Sequence, residues 1–259
     1  MKKRRILTGF LLLTTLRPFA RAEDYPKADK ALAAYDKHAA EVRESFDRMP
    51  EKSADKEWVK KKLAHLAEMD QYAFKYKYPF KFDAAETKYF EKNLGRRVED
   101  VIRTNIRDLK KLVDVYSWFK ISEFGEQASK DAAVVVQHAD DDVDFQRDVL
   151  KKMEMLYADE EVSRKTYAFL YDRVAVHRNE PQRYGTQGFC TGPGVWEPCL
   201  IMEPNDPASV DARRKEATID PASMEEYTNM FKTRCREGFK DVCRLNAAPK
   251  TSHFEVKTK

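Results

Sequence analysis

Glycine is scarce in this chain, at 8 of 259 residues, and cysteine numbers only four. No G-x-x-x-x-G-K loop is present to cradle a phosphate, and no G-x-S-x-G elbow to present a serine nucleophile. An H-E-x-x-H pair and a cysteine pair at zinc spacing are also missing. The acidic run Asp140-Asp141-Asp142 lacks the glycine and terminal glutamate of a calcium loop. These absences leave little support for nucleophilic catalysis, and no metal or other cofactor is assigned. The apolar run Ile6 to Leu16 is too short for a permanent membrane anchor.

That run belongs to an expected processing segment, residues 1–22. Lys2, Lys3, Arg4 and Arg5 precede it, and Ala20-Arg21-Ala22 offers small residues for cleavage near Ala22. The expected location is periplasmic or secreted. Arg4-Arg5 followed by Ile-Leu also resembles a twin-arginine signal, although paired basic residues are common in any such leader. Removing six basic residues from 48 leaves 42 against 44 acidic ones, a formal charge of −2. A nucleic-acid binder is expected to carry a basic balance or stripe, so nucleic acid is set aside as a partner.

Abundant charge and apolar residues recurring at three and four argue for helices. The expected fold is mostly α, an irregular multi-helix domain with a loop-rich, disulfide-stapled C-terminal part. Residues 23–55 form an N-terminal helical segment, 56–237 the core domain and 238–259 a tail. Helices are expected over 27–48, 55–76, 86–93, 98–115, 146–157 and 163–177, and from about 220 to 236. Ser122 is the expected N-cap of a helix carrying Ala128, Ala132 and Val135, and Asp220-Pro221 an N-cap with proline at N1. Phe74 to Phe82 alternates aromatics with lysines around Pro79, which predicts an extended segment packed on a neighbouring helix. Four cysteines in an exported chain suggest two disulfides. Three connectivities are open to Cys190, Cys199, Cys235 and Cys243, and the local pairs Cys190–Cys199 and Cys235–Cys243 are preferred.

The stretch from Val134 to Gln187 holds polar residues that an ordinary helical core does not choose. Gln137 and His138 follow three valines, and Asp172 and Arg173 interrupt the apolar run Phe169 to Val176. Charged residues are rarely buried unless paired. Neighbours in sequence diverge around a helix, so Asp172 and Arg173 each need a partner from elsewhere. Arg183, Tyr184 and Gln187 flank Gly185 in a turn where a positive φ is expected. Mutual satisfaction in one buried or cleft-lining network is the simplest solution. His177, at a helix C-terminus, is read as a dipole partner.

The run QHAD (Gln137 to Asp140), then Phe145-Gln146, Asp172-Arg173 and QRYGTQ (Gln182 to Gln187), resembles a bacterial domain family of unknown function. The likeness begins near Glu68-Met69-Asp70-Gln71, passes through Leu109-Lys110, Trp118 and Ser122 to Gly125, and reaches Val210 to Arg214. Trp118-Phe119 stands where that family commonly carries Trp-Pro. The resemblance implies a shared architecture and polar cluster and adds no chemistry, but it brings Asp70 and Gln71 into the candidate site.

The candidate catalytic residues are His138 as general acid/base, Asp172 or Asp140 to orient it, and Arg183 or Arg173 to stabilise negative charge. Asp70, Gln71, Gln137, Asp140, Gln146, Arg173, Tyr184 and Gln187 are the candidate ligand-binding residues. Three functions follow: an enzyme acting on a small anionic or glycan-derived molecule, a binding module for such a ligand, or a structural protein whose network only fixes the fold.

Overall fold

The computed structural model describes residues 24–78, 80–199 and 207–236. Cys243 and the expected processing segment and tail lie outside them. Among the described residues the chain forms nine helices and one hairpin: α1 (Pro26–Asp47), α2 (Lys56–Lys75), α3 (Ala84–Tyr116), α4 (Ile121–Phe124), α5 (Glu126–Gln137), α6 (Val143–Tyr157), α7 (Arg164–His177), β1 (Gly188–Gly192), β2 (Val195–Pro198), α8 (Pro207–Glu216) and α9 (Met224–Arg236). The mostly α reading and the disulfide-stapled C-terminal part hold.

Short polar side chains start the helices by accepting from otherwise unpaired N–H groups. Asp55 caps α2, Asp83 caps α3, Asp142 caps α6 and Ser163 caps α7. The start of α1 has no such residue of its own. Glu86, 6% exposed on α3, reaches across and accepts from the Lys27 and Ala28 N–H groups at 3.0 and 2.9 Å. An anion at a helix N-terminus also offsets the positive end of the helix dipole, so Glu86 fastens α1 to α3.

At the centre lies α5, which touches α2, α3, α4, α6 and α7. Its small residues Ala128, Ala132 and Ala133 permit this close approach, and Val135 and Val136 fill the space beside Leu63, Leu66, Leu109, Val149, Met153 and Leu170. Each such fully buried aliphatic side chain contributes about 1.5–3 kcal/mol. The aromatic strip packs as expected: Tyr78, Phe80 and Phe82 join Phe90 and Leu32 in a cluster between α1 and α3.

Four expectations are corrected. The two helices expected at 86–93 and 98–115 are one, since α3 runs unbroken through Gly95. Ser122 lies inside α4, where its N–H and hydroxyl both donate to Glu161, and Gly125 with φ 84° separates α4 from α5. Asp220-Pro221 precedes α9, which begins at Met224, and Ser223 Oγ accepts from the Glu226 N–H there. Finally, Cys190 is bridged to Cys235. The hairpin register explains why: Cys190 stands opposite Trp196, while the Cys199 N–H donates to the Gln187 carbonyl. The two cysteines therefore miss each other across the hairpin, and α9, packed on both strands, brings Cys235 to a Cα–Cα distance of 5.5 Å from Cys190. Cys199 is disulfide-bonded as well.

Candidate functional site

The packing of α2 on α5 decides the first part of the site. His138 follows the last turn of α5 with φ −94° and ψ 6°, its N–H still held by the Val135 and Val136 carbonyls. That places the imidazole against Asp70, which is 1% exposed on α2. Nδ1 lies 2.9 and 2.7 Å from the two Asp70 oxygens. A carboxylate only accepts, so Nδ1 carries a proton, and in the neutral ring the lone pair then sits on Nε2. Nε2 has no partner among the described residues, and the His138 side chain is 21% exposed. Gln71 Nε2 donates to Asp70 Oδ2 at 3.1 Å, and the half-exposed Phe74 ring lies 4.0 Å from the imidazole, centroid to centroid.

Two residues further on, Asp140 grips Arg173 of α7 in a two-pronged pair, with Nε and Nη2 donating at 2.7 and 2.8 Å. This fork geometry is the strong form of the interaction. Gln146, wholly buried on α6, donates to the Val136 and Gln137 carbonyls that end α5. Its amide orientation is thereby fixed, so its oxygen accepts from His177 Nδ1 at 3.0 Å, and His177 Nε2 sits 3.6 Å from Asp140 Oδ1.

From Arg173 the network continues to the turn. Nη1 donates to Gln187 Oε1 at 3.3 Å, Gln187 Nε2 donates to Thr186 Oγ1, and Thr186 Oγ1 donates to Asp172 Oδ2. Asp172 has no exposed surface and also accepts from the N–H groups of Arg183, Tyr184 and Thr186. Burial pushes its carboxyl upward, and these donated bonds oppose the shift. All four contacts are donors, so the ionised form is the one the turn holds. Gly185, at φ 64°, supplies the left-handed residue that lets three neighbouring amides converge on one carboxylate. Gln182 and Gln187 lock the base of the turn through reciprocal side-chain and backbone bonds.

Arg214 closes the turn from α8. It too has no exposed surface, and it donates to the Tyr184, Pro221 and Ala222 carbonyls at 2.7–2.8 Å while lying 4.2 Å from the Tyr227 ring centre. Burial lowers its pKa, and the nearby Tyr227 and Asp172 oppose that shift.

The structure gathers the expected residues into two groups, Asp70, Gln71 and His138 in one and Asp140, Gln146, Arg173, Gln187 and Asp172 in the other, and reassigns several. The orienting carboxylate of His138 is Asp70. Asp172 is excluded because its oxygens are committed to the turn, and Asp140 because both of its oxygens hold Arg173. The Arg183 side chain does not join Asp140 and Arg173. Its backbone belongs to the turn, but its guanidinium lies over Tyr184 and lines a separate cleft. Of Gln137, the network uses only the carbonyl. Sequence reasoning passed over His177 as a helix-end cation and left Arg214 out of the site. A spacing of four from Arg173 to His177 puts both on one face of α7, and that was the available signal for His177. For Arg214 the family likeness, which reaches Val210 to Arg214, was the only signal, because its partners are backbone carbonyls.

Chemically, the residues offer an imidazole oriented by a buried carboxylate and, on α7, a guanidinium that uses three of its five N–H groups. Neither a curated protein nor a solved structure matches the chain. The pattern of a family of unknown function (DUF6624) matches residues 62–236, spanning the site from α2 to α9, and the chain belongs to that family.

Proposed function

We propose that His138 is the general acid/base of an exported enzyme acting on a small anionic molecule. Asp70 fixes the imidazole and its tautomer, and the spare N–H groups of Arg173 receive negative charge on the substrate. The observation that carries this reading is the contrast between two histidines. His177 is 3% exposed at its side chain, with both nitrogens facing protein groups, as a structural imidazole should be. His138 has one nitrogen clamped by a buried carboxylate, the other without a partner among the described residues, and a side chain that is 21% exposed. The basic and apolar opening of the sequence and the Cys190–Cys235 bridge support a location outside the cytoplasm.

A thermal-shift screen of the purified chain against small anionic metabolites, followed by turnover assays on each stabilising compound, tests the proposal. General acid/base catalysis contributes about 10²–10⁴-fold, so His138→Ala should lower turnover by at least roughly 10²-fold while leaving the fold intact, and Asp70→Asn should also slow it. Equal turnover in wild type and His138→Ala overturns the assignment. The second reading, binding without turnover, draws on Phe74, whose ring lies against the imidazole and offers a ligand an apolar surface. Saturable binding lost in His138→Ala, with no product formed, selects it.

A further inference from the structure

The guanidinium of Arg183 opens a second question, because the residue is fixed while its charge is unused. The Arg183 N–H is held by Asp172, and its carbonyl accepts from Arg213 Nε at 2.8 Å. Its guanidinium forms no hydrogen bond or ion pair with the described residues and lies only over the Tyr184 ring, 5.7 Å from its centre. It lines a cleft of about 220 Å³ walled by Tyr157, Tyr167 and Tyr184. None of His138, Asp70, Asp140 and Arg173 takes part in that lining.

The polar groups of this cleft are unsatisfied in one direction. Tyr167 and Tyr184 are 5% and 4% exposed, yet neither hydroxyl, nor that of Tyr157, has a hydrogen-bond partner among the described residues. None of the three is sealed from solvent, so each hydroxyl is open to the cleft that the ring lines. Arg213, the second cation of the lining, has an Nη2 atom without an acceptor. Glu154 has no hydrogen-bond or ion-pair partner among the described residues, whereas Glu216 faces Arg164 at 3.9 Å. Burial lifts all three phenols, that of Tyr184 to about 12, so they are hydrogen-bond donors at neutral pH.

We propose that this cleft is a binding site for a small sugar acid, one pyranose ring bearing a carboxylate. The volume falls below that of sites for drug-sized ligands and suits a single ring. The tyrosine faces match the C–H faces of a sugar, and the phenols and Glu154 match its hydroxyls. Arg183, the cation with no hydrogen-bond or ion-pair partner among the described residues, receives the carboxylate through paired N–H donors. The inference stands apart from the His138 proposal, since the two sites share the turn's backbone and no side chain.

The test is isothermal titration of the full chain with glucuronate, glucose and benzoate, accompanied by ultraviolet difference spectra of tyrosine. Glucuronate should bind one to one and perturb the tyrosine spectrum, and glucose should bind at least tenfold more weakly. Arg183→Gln should weaken glucuronate by at least tenfold. Its side chain is exposed and its fold contacts are backbone ones, so it should melt as wild type does. Tyr157→Ala should weaken binding independently, and His138→Ala should leave it unchanged. Absence of saturable glucuronate binding, equal affinity in Arg183→Gln, or tighter binding of benzoate each overturns the proposal.

Discussion

Replacing Asp172 by asparagine removes one charge and one acceptor at the point where the turn is fastened. If the new amide oxygen keeps the Arg183 and Tyr184 N–H groups, its NH₂ faces the Thr186 N–H, donor against donor, at what is now a 2.8 Å hydrogen bond. The Thr186 hydroxyl can rotate and accept, but the backbone N–H cannot. Orphaning one buried N–H costs about 1–3 kcal/mol, and each remaining bond falls from about 1.5–3 kcal/mol for a charged acceptor toward about 1 for a neutral one. Relief from burying a charge offsets part of this, leaving a net loss of about 3 kcal/mol. For a domain of this size each kcal/mol moves Tm by roughly 2–4 °C, so Asp172→Asn should melt about 6–12 °C lower. The urea midpoint should fall with it at unchanged slope. Circular dichroism can follow both transitions. A loss below about 1 kcal/mol would refute the reasoning, because the carboxylate charge would then not be what holds the three amides.

Other perturbations have equally definite expectations. Glu86→Ala strips the start of α1 of its borrowed cap and should cost about 1–2 kcal/mol, with Glu86→Gln intermediate, read by urea denaturation. The Cys190–Cys235 bridge closes a loop of 45 residues, so the chain-entropy relation gives about 4 kcal/mol for the Cys190→Ser/Cys235→Ser pair. A measured loss under about 1 kcal/mol would contradict it. His65, 9% exposed and stacked on Phe46, has its pKa lowered below 6.5 by burial and then by Lys62. The unfolded chain therefore binds the proton more readily. The stability His65 contributes is complete above pH 6.5 and is lost as pH falls through the lower folded value. The drop in Tm between pH 7 and pH 5 should be smaller in His65→Gln than in wild type.

The helices were legible because amphipathic spacing and cap residues are local, as at Asp55 and Ser163, although α6 starts at Val143, three residues before the expected 146. The joining of Asp140, Arg173 and the Gln182–Gln187 turn was legible for a different reason. Polar groups set in apolar helices must find partners, and a short list of candidates could supply them. What pairs with what depended on how α2 lies on α5, and nothing in the sequence around Asp70 encodes that contact. The same limit applied to the cysteines, where strand register and the docking of α9 override proximity in sequence. Arg183 was misplaced because one residue's backbone and side chain serve different sites, a division that residue identity does not record. The gap expected between residues 93 and 98 was an error in the opposite sense, since α3 runs on through Gly95 despite its low helix propensity.

The account depends on His138 being held by its Nδ1 proton with Nε2 free, and nitrogen NMR of the imidazole rings reads this directly. With the five histidines assigned by single substitution, neutral His138 should show a protonated Nδ1 and an unprotonated Nε2, and Asp70→Asn should disturb that preference. A His138 whose neutral ring carries its proton on Nε2, or exchanges freely between the two nitrogens as in an unrestrained side chain, would contradict the account.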